Sequence, residues 1–161
     1  MQIASVILAL NEYGIIIAIS VFNKARNLSN SPSLVKVNVA NKLAIIDKTK
    51  EKDIIEEAKK LNIKGKVKYK PKAIDVRDFS FDYNHINSER KHKVTLNQAI
   101  SYMDNAVVSI TRYNGNSINY YSFQGAVYIR KDLKSIRTAF KKEQYDEKIQ
   151  KMINEVKKDE S

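Results

Sequence analysis

The sequence predicts an α+β fold for the C-terminal two thirds of the chain, on three observations. A helix with a clear start precedes a series of short β runs, the runs alternate apolar and polar residues, and an amphipathic helix follows them. The chain has 161 residues, the length of one domain or of one domain with an extension.

Ile3 to Phe22 is apolar apart from the break Asn11-Glu12-Tyr13-Gly14. A membrane helix needs about 20 mostly apolar residues, and Glu12 near the middle of the run is a costly charge there. No basic segment precedes the run and no cleavage site follows it, so it does not read as a signal peptide. A buried helix or a strand pair is expected, and a membrane is not an expected partner. Asn27 to Ser33 reads as a polar loop broken by Pro32. In Leu34 to Val39, Val35, Val37 and Val39 alternate with Lys36 and Asn38, which predicts a short strand. From Thr49 to Leu61, Ile54, Ile55, Ala58 and Leu61 fall at helical spacing opposite a charged face. Residues 1–62 thus form an N-terminal helical and strand extension of unassigned role, and residues 63–161 the main domain.

That domain opens with Lys64, Lys66, Lys68, Lys70 and Lys72 at every second position. In an extended chain they share one side, and Pro71 places them on an edge or at a strand end. Two readings stand: an edge kept from aggregating by its lysines, or a stripe that meets phosphates. Thr95 with Gln98 three residues on is a capping box that starts a helix buried through Leu96, Ala99, Ile100 and Met103. The β runs are Val107 to Tyr113, closed by the turn signal Asn114-Gly115, then Ile118 to Phe123, Ala126 to Arg130 and Ser135 to Phe140. The last helix carries Tyr145, Ile149, Met152, Ile153 and Val156 on one face.

Lys and Arg number 29 against 18 acidic residues, a formal charge of +11. Residues 63–161 hold 20 of the basic and 12 of the acidic side chains, so most of the excess lies in the main domain. Such an excess favours polyanions, nucleic acid before membrane. Cysteine is absent, which excludes disulfides, thiol catalysis and Cys-ligated zinc, and two histidines exclude a His-rich metal site. No cofactor is expected.

Alternation along the β runs predicts a core face of Val108, Ile110, Tyr121, Phe123, Val127, Ile129, Ile136 and Phe140. The opposite face takes Ser109, Thr111, Tyr113, Tyr120, Ser122, Tyr128, Arg130 and Arg137. Hydroxyls, aromatic rings and arginines on one sheet face suit nucleic acid, and they also suit plain solvent exposure. Both histidines, His85 and His92, lie within the polar stretch Asn84 to Lys93 just before the capped helix. An imidazole takes up and returns a proton near neutral pH. Metal-free RNA cleavage needs both events: a base for the ribose 2′-OH, an acid for the leaving 5′-oxygen, and a cation for the phosphorane charge.

Four pieces, Phe79-Ser80-Phe81-Asp82-Tyr83-Asn84-His85, Glu89-Arg90-Lys91-His92-Lys93-Val94-Thr95, Asn119-Tyr120-Tyr121-Ser122 and Ile136-Arg137-Thr138-Ala139-Phe140, resemble phage-associated nuclease domains of the barnase/EndoU/colicin/RelE-like (BECR) group. The resemblance runs from about Lys66 to the C-terminus. It implies a four-stranded antiparallel sheet packed on helices and a metal-independent endoribonuclease of phage or prophage origin, cytoplasmic or virion-associated. It also implies His85 and His92 as acid and base, with Ser122 and Thr138 positioning the scissile phosphate. Arg90 is implied as a phosphate ligand, while the polar sheet face adds Arg130, Arg137 and Tyr120, and the lysine stripe Lys66, Lys68 and Lys70, as further substrate contacts. Alternation puts Thr138 on the core face, away from Ser122, and only a bulge in that strand reconciles the two. The expected partners are RNA and, for such a nuclease, an immunity or inhibitor protein or phage head proteins. The competing reading is a non-catalytic nucleic-acid-binding or minor capsid protein.

Overall fold

The computed structural model describes residues 5–10, 16–21 and 32–158, with the side chains of 39–158. The polar break at Asn11 to Gly14 and the loop from Asn27 to Ser31 lie outside the described residues. The chain divides into two compact units, Met1–Lys48 with Lys158–Ser161, and Thr49–Lys157.

In the first unit the apolar run forms a strand pair. β1 (Ser5–Leu10) lies antiparallel to β2 (Ile16–Val21), with Ser5 opposite Val21 and Leu10 opposite Ile16. α1 (Pro32–Lys60) begins here and is 29 residues long. The strand expected over Leu34–Val39 is therefore helix. Pro32 occupies its first position, where a missing N–H is not needed, and a β-branched alternation of six residues is too weak a preference to interrupt a helix this long. Among the described residues no helix is long and apolar enough to cross a membrane.

The second unit takes in the last turns of α1, whose Ile54 and Ala58 are buried in its core. Its other elements are β3 (Lys66–Tyr69), β4 (Ser80–Phe81), α2 (Leu96–Asp104), β5 (Val108–Arg112), β6 (Ser117–Tyr121), β7 (Gly125–Arg130), β8 (Ser135–Lys141) and α3 (Glu147–Lys157). The α+β class holds, but the sheet is six-stranded and mixed rather than four-stranded and antiparallel, in the order β3-β5-β6-β7-β8-β4. β5 to β8 form the antiparallel centre, β3 adds antiparallel to β5, and β4 runs parallel to β8. β3 falls within the stretch of alternating lysines expected on an edge or at a strand end, whereas β4, two residues long, is too short to leave a period in the sequence.

Both faces of the sheet are covered. One packs Val108, Ile110, Tyr121 and Ala126 against α1 and α3 through Ile54, Ala58, Ile149, Met152 and Val156. The other packs Tyr120, Val127, Ile129, Ile136 and Ala139 against α2 and the segment before it, through Ala99, Met103, Ile86 and Val94. The polar sheet face expected from alternation does not exist. Tyr120 lies opposite Val127, and Tyr121 opposite Ala126, so Val127 and Ile129 belong with Tyr120 and not with Val108. Tyr120, Ser122 and Ser109 are all buried. A sheet covered on both sides is apolar on both sides, which leaves alternation unable to tell its faces apart.

α2 starts where the capping box places it. The Thr95 hydroxyl accepts from Gln98 N, and Gln98 Oε1 accepts from Thr95 N, at 3.2 and 2.9 Å. Gly125 opens β7 beneath the Tyr102 ring, where a Cβ would stand 2.4 Å from the ring and 2.6 Å from the Phe140 carbonyl oxygen. Only a residue without a Cβ lets α2 come this close to the sheet.

Candidate active site

The segment from Asp82 to Val94 carries both histidines and is held from within. Asp82 Oδ1 accepts from His85 N at 3.1 Å. A wide helical turn, Asn84–Glu89, follows, in which Arg90 N donates to the His85 carbonyl five residues back at 3.0 Å. Such π-type turns recur at functional sites because the extra residue re-aims the side chains around it. The Asn87 side chain then clamps the far end of the loop, donating to Val94 O and accepting from Val94 N, both at 2.8 Å. Lys91 and Lys93 sit at φ 55, the left-handed turns that fold the chain back, and His92 N donates to Ile86 O at 3.0 Å. Ile86 and Val94 anchor the loop in the core. The clamp brings His92 back beside His85.

The result is a cleft of about 300 Å³ lined by His85, Arg90, His92, Thr138, Phe140 and Gln144. Thr138 reaches it because β8 is bulged. Tyr128 of β7 pairs with Thr138 and the next residue, Ile129, pairs with Ile136, which leaves Arg137 extra. The bulge turns Thr138 to the face of Tyr128 and Phe140, while Ile136 and Ala139 face the core on the other side.

The two imidazoles are in different situations. His85 Nδ1 lies 3.0 Å from Glu89 Oε2, and Glu89 Oε1 accepts from Asn84 Nδ2 at 3.1 Å. With its proton on Nδ1, the imidazole donates to this carboxylate and leaves Nε2 for a ligand. The His92 ring rests against Phe140 with centroids 5.6 Å apart, and its Nδ1 is buried with no hydrogen-bond partner. Burial pushes His92 below the ordinary histidine range; a hydrogen bond with Gln144 opposes this, and the nearby charges of Arg90 and His85 add to it. Arg90 is exposed and, among the described residues, has no carboxylate partner. Also among the described residues, no group of three or more His, Asp or Glu side chains is placed to hold a metal ion.

Of the residues singled out in the sequence, His85, His92, Arg90 and Thr138 come together here. Ser122 does not. It is fully buried, its hydroxyl donates to Gly125 O at 2.9 Å and accepts from Gln124 N and Gly125 N at 3.1 and 3.0 Å, so it is spent on the β6–β7 turn. Tyr120 is buried under α2, its hydroxyl donating to Lys72 O at 3.4 Å. Arg130 is paired with Asp132 at 2.7 Å and Arg137 with Asp82 at 2.6 Å. Lys66 and Lys68 are exposed on edge strand β3. They stand four strands from β8, about 19 Å at the usual strand spacing. Lys70 is out of the strand at φ 45, with Nζ 5.4 Å from the Tyr69 ring centroid. The cleft also uses Gln144 as a site residue and Phe140 as its wall. Neither had a sequence signal for this place, since Phe140 reads as plain core and Gln144 falls in an irregular turn.

No protein-family model matches the chain, and no curated protein or solved structure matches it either.

Proposed function

We propose that the chain is an endoribonuclease that cleaves RNA without a metal, by attack of a ribose 2′-OH on the adjacent phosphorus. The observation that carries this reading is the convergence of His85, His92, Arg90 and Thr138 in one cleft. The resemblance to BECR nuclease domains supports it from the sequence side.

His92, kept neutral by burial, takes the 2′-proton as the O2′–P bond forms. His85 gives a proton from Nε2 to the 5′-oxygen as the P–O5′ bond breaks, with Glu89 against Nδ1 both orienting the ring and giving its charged form a counter-charge. The products are a 2′,3′-cyclic phosphate and a 5′-hydroxyl. Arg90 and the Thr138 hydroxyl donate to the non-bridging oxygens, where charge grows in the transition state. Phage or prophage origin, with a cytoplasmic or virion-associated place of action, is proposed from the same resemblance, as is an inhibitor or phage head protein as partner.

The test is incubation with total RNA in EDTA, beside His85→Ala and His92→Ala proteins of matched fold, followed by analysis of the new ends. Cleavage to cyclic phosphate ends that falls at least 100-fold in either variant, about the lower bound for losing acid–base catalysis, is expected. Equal cleavage of a substrate lacking the scissile 2′-OH overturns the mechanism. RNA that is bound at low salt and never cut favours the non-catalytic binding protein, a reading consistent with exposed Lys66 and Lys68 on an open sheet edge.

A further inference from the structure

A second cleft, of about 380 Å³, opens on the same sheet face as the histidine cleft. Lys64, Arg112, Tyr113, Tyr121, Tyr128 and Lys148 line it. The two clefts meet across one residue pair: Tyr128 lines this one, its cross-strand partner Thr138 lines the other, and the Tyr128 ring touches Phe140 with centroids 5.3 Å apart.

Its polar atoms are mostly donors. Arg112 Nε is spent on Lys64 O at 2.8 Å, which fixes the guanidinium and leaves its remaining N–H groups for a ligand. Tyr121 and Tyr128 hydroxyls stand 2.9 Å apart. Asn119 Nδ2 donates to the Tyr121 oxygen at 3.4 Å; with Tyr121 as the donor of the pair, the Tyr128 hydroxyl keeps its proton to donate outward. Burial raises both phenols and keeps them protonated. The acidic side chain in the cleft is Asp146, and its Oδ1 accepts from Ile149 N at 2.9 Å at the start of α3. Tyr113 stands 74% exposed beside these cations, in the β5–β6 turn at φ 52, the left-handed backbone that a tight hairpin turn uses.

We propose that this second cleft is a subsite for a further nucleotide of the same single-stranded RNA whose scissile phosphate lies between His85 and His92. The proposal rests on the nuclease reading. Lys64, Arg112, Lys148 and the Tyr128 hydroxyl hold a phosphate further along the strand, and Tyr113 stacks on its base. A base is free to stack in this way only in a single strand. From β8 to β5 is three strand steps, about 14 Å, within reach of a short oligonucleotide.

The experiment measures binding of the intact protein to 2′-O-methyl oligoribonucleotides of two and five residues, which cannot be cleaved through the 2′ position. Wild type is expected to hold the pentamer at least about tenfold tighter than the dimer, as one stacked base and added phosphate contacts require. In the surface variant Lys64→Ala/Lys148→Ala this length gain falls below about threefold. The slope of log affinity for the pentamer against log salt also drops by about 1.4, the effect of two lost contacts to a single strand. Tyr113→Ala shrinks the gain without changing the slope. An equal length gain in wild type and the lysine variant, or none in wild type, overturns the subsite. Binding needs no turnover, so the two readings fail separately. A length gain carried by these residues in a protein that never cuts RNA keeps the subsite and refutes the nuclease. Cleavage without a length gain does the reverse.

Discussion

The Nδ1 atom of His92 is buried with no hydrogen-bond partner, and its ring lies 5.6 Å from that of Phe140. A ring held this way is easier to keep neutral than to charge. Its folded value lies below the ordinary one, so between the two values the unfolded chain binds more protons than the folded one, and stability there rises with pH. The contribution of the neutral ring is complete above about pH 6.5, the unfolded value, and is lost as pH falls through the folded value. Proton NMR is expected to show His92 titrating below 6.5, and the melting temperature to fall on acidification from there. In His92→Gln that acid dependence flattens. A melting curve with the same pH dependence in both proteins rules this out.

Phe140 covers that ring and also touches Tyr128 and Tyr145, with centroids at 5.3 and 6.0 Å. Phe140→Leu keeps an apolar side chain but loses these ring contacts and part of the cover. A destabilisation of about 1–2 kcal/mol is expected from the lost volume, together with a rise of the His92 titration midpoint toward the ordinary histidine value. Chemical denaturation and the same NMR titration measure the two effects. A destabilised protein with an unmoved His92 midpoint would show that Phe140 does not control the ring.

The loop that carries the histidines depends on one side chain. Asn87 holds Val94 through two hydrogen bonds of 2.8 Å and so fixes the return of Arg90 and His92 toward His85. Asn87→Ala removes both bonds while Ile86 and Val94 stay in the core. RNA cleavage is expected to drop on the order of 10- to 100-fold, since misplacing catalytic groups by about 1 Å has costs of that size. The melting temperature falls by only a few degrees, for a loss of about 1–2 kcal/mol. Unchanged turnover would mean the loop keeps its shape without the clamp.

The parts that were legible in the sequence are those with a local signal. Thr95 and Gln98 announced α2 because a capping box is chemistry between residues three apart. The four central strands lie close to their expected bounds because alternation survives within a strand. The pairing of His85 with His92 in one site was legible because they are close in sequence. What failed depends on distant contacts. β4 exists through pairing with β8. The face of Val127 depends on its lying opposite Tyr120 across the β6–β7 turn, which alternation within β7 does not encode. Thr138 is in the cleft through a bulge at Arg137, the feature alternation alone put in question, and Gln144 joins it from a turn with no period. Leu34 to Val39 failed differently, as a genuine β-like pattern overridden by the helix around it.

Ser122 is a structural hydroxyl, set apart from that of Thr138 in the cleft. It lies in the turn after β6, wholly buried, and its oxygen accepts from the backbone N of Gln124 and Gly125 while donating to Gly125 O. Its own carbonyl accepts from the Tyr145 hydroxyl at 2.8 Å, so the turn is tied to the chain entering α3. Ser122→Ala leaves two turn N–H groups without this acceptor. One of them, on Gly125, is buried beneath Tyr102. The expected cost is about 1–3 kcal/mol, with a matching fall in the denaturation midpoint. At a temperature where the variant is folded, RNA cleavage per folded molecule stays within a few-fold of wild type, because nothing in the His85–His92 cleft is touched. A loss of 100-fold or more in a protein that circular dichroism finds folded would return Ser122 to the catalytic machinery. It would also require the turn to open when RNA binds.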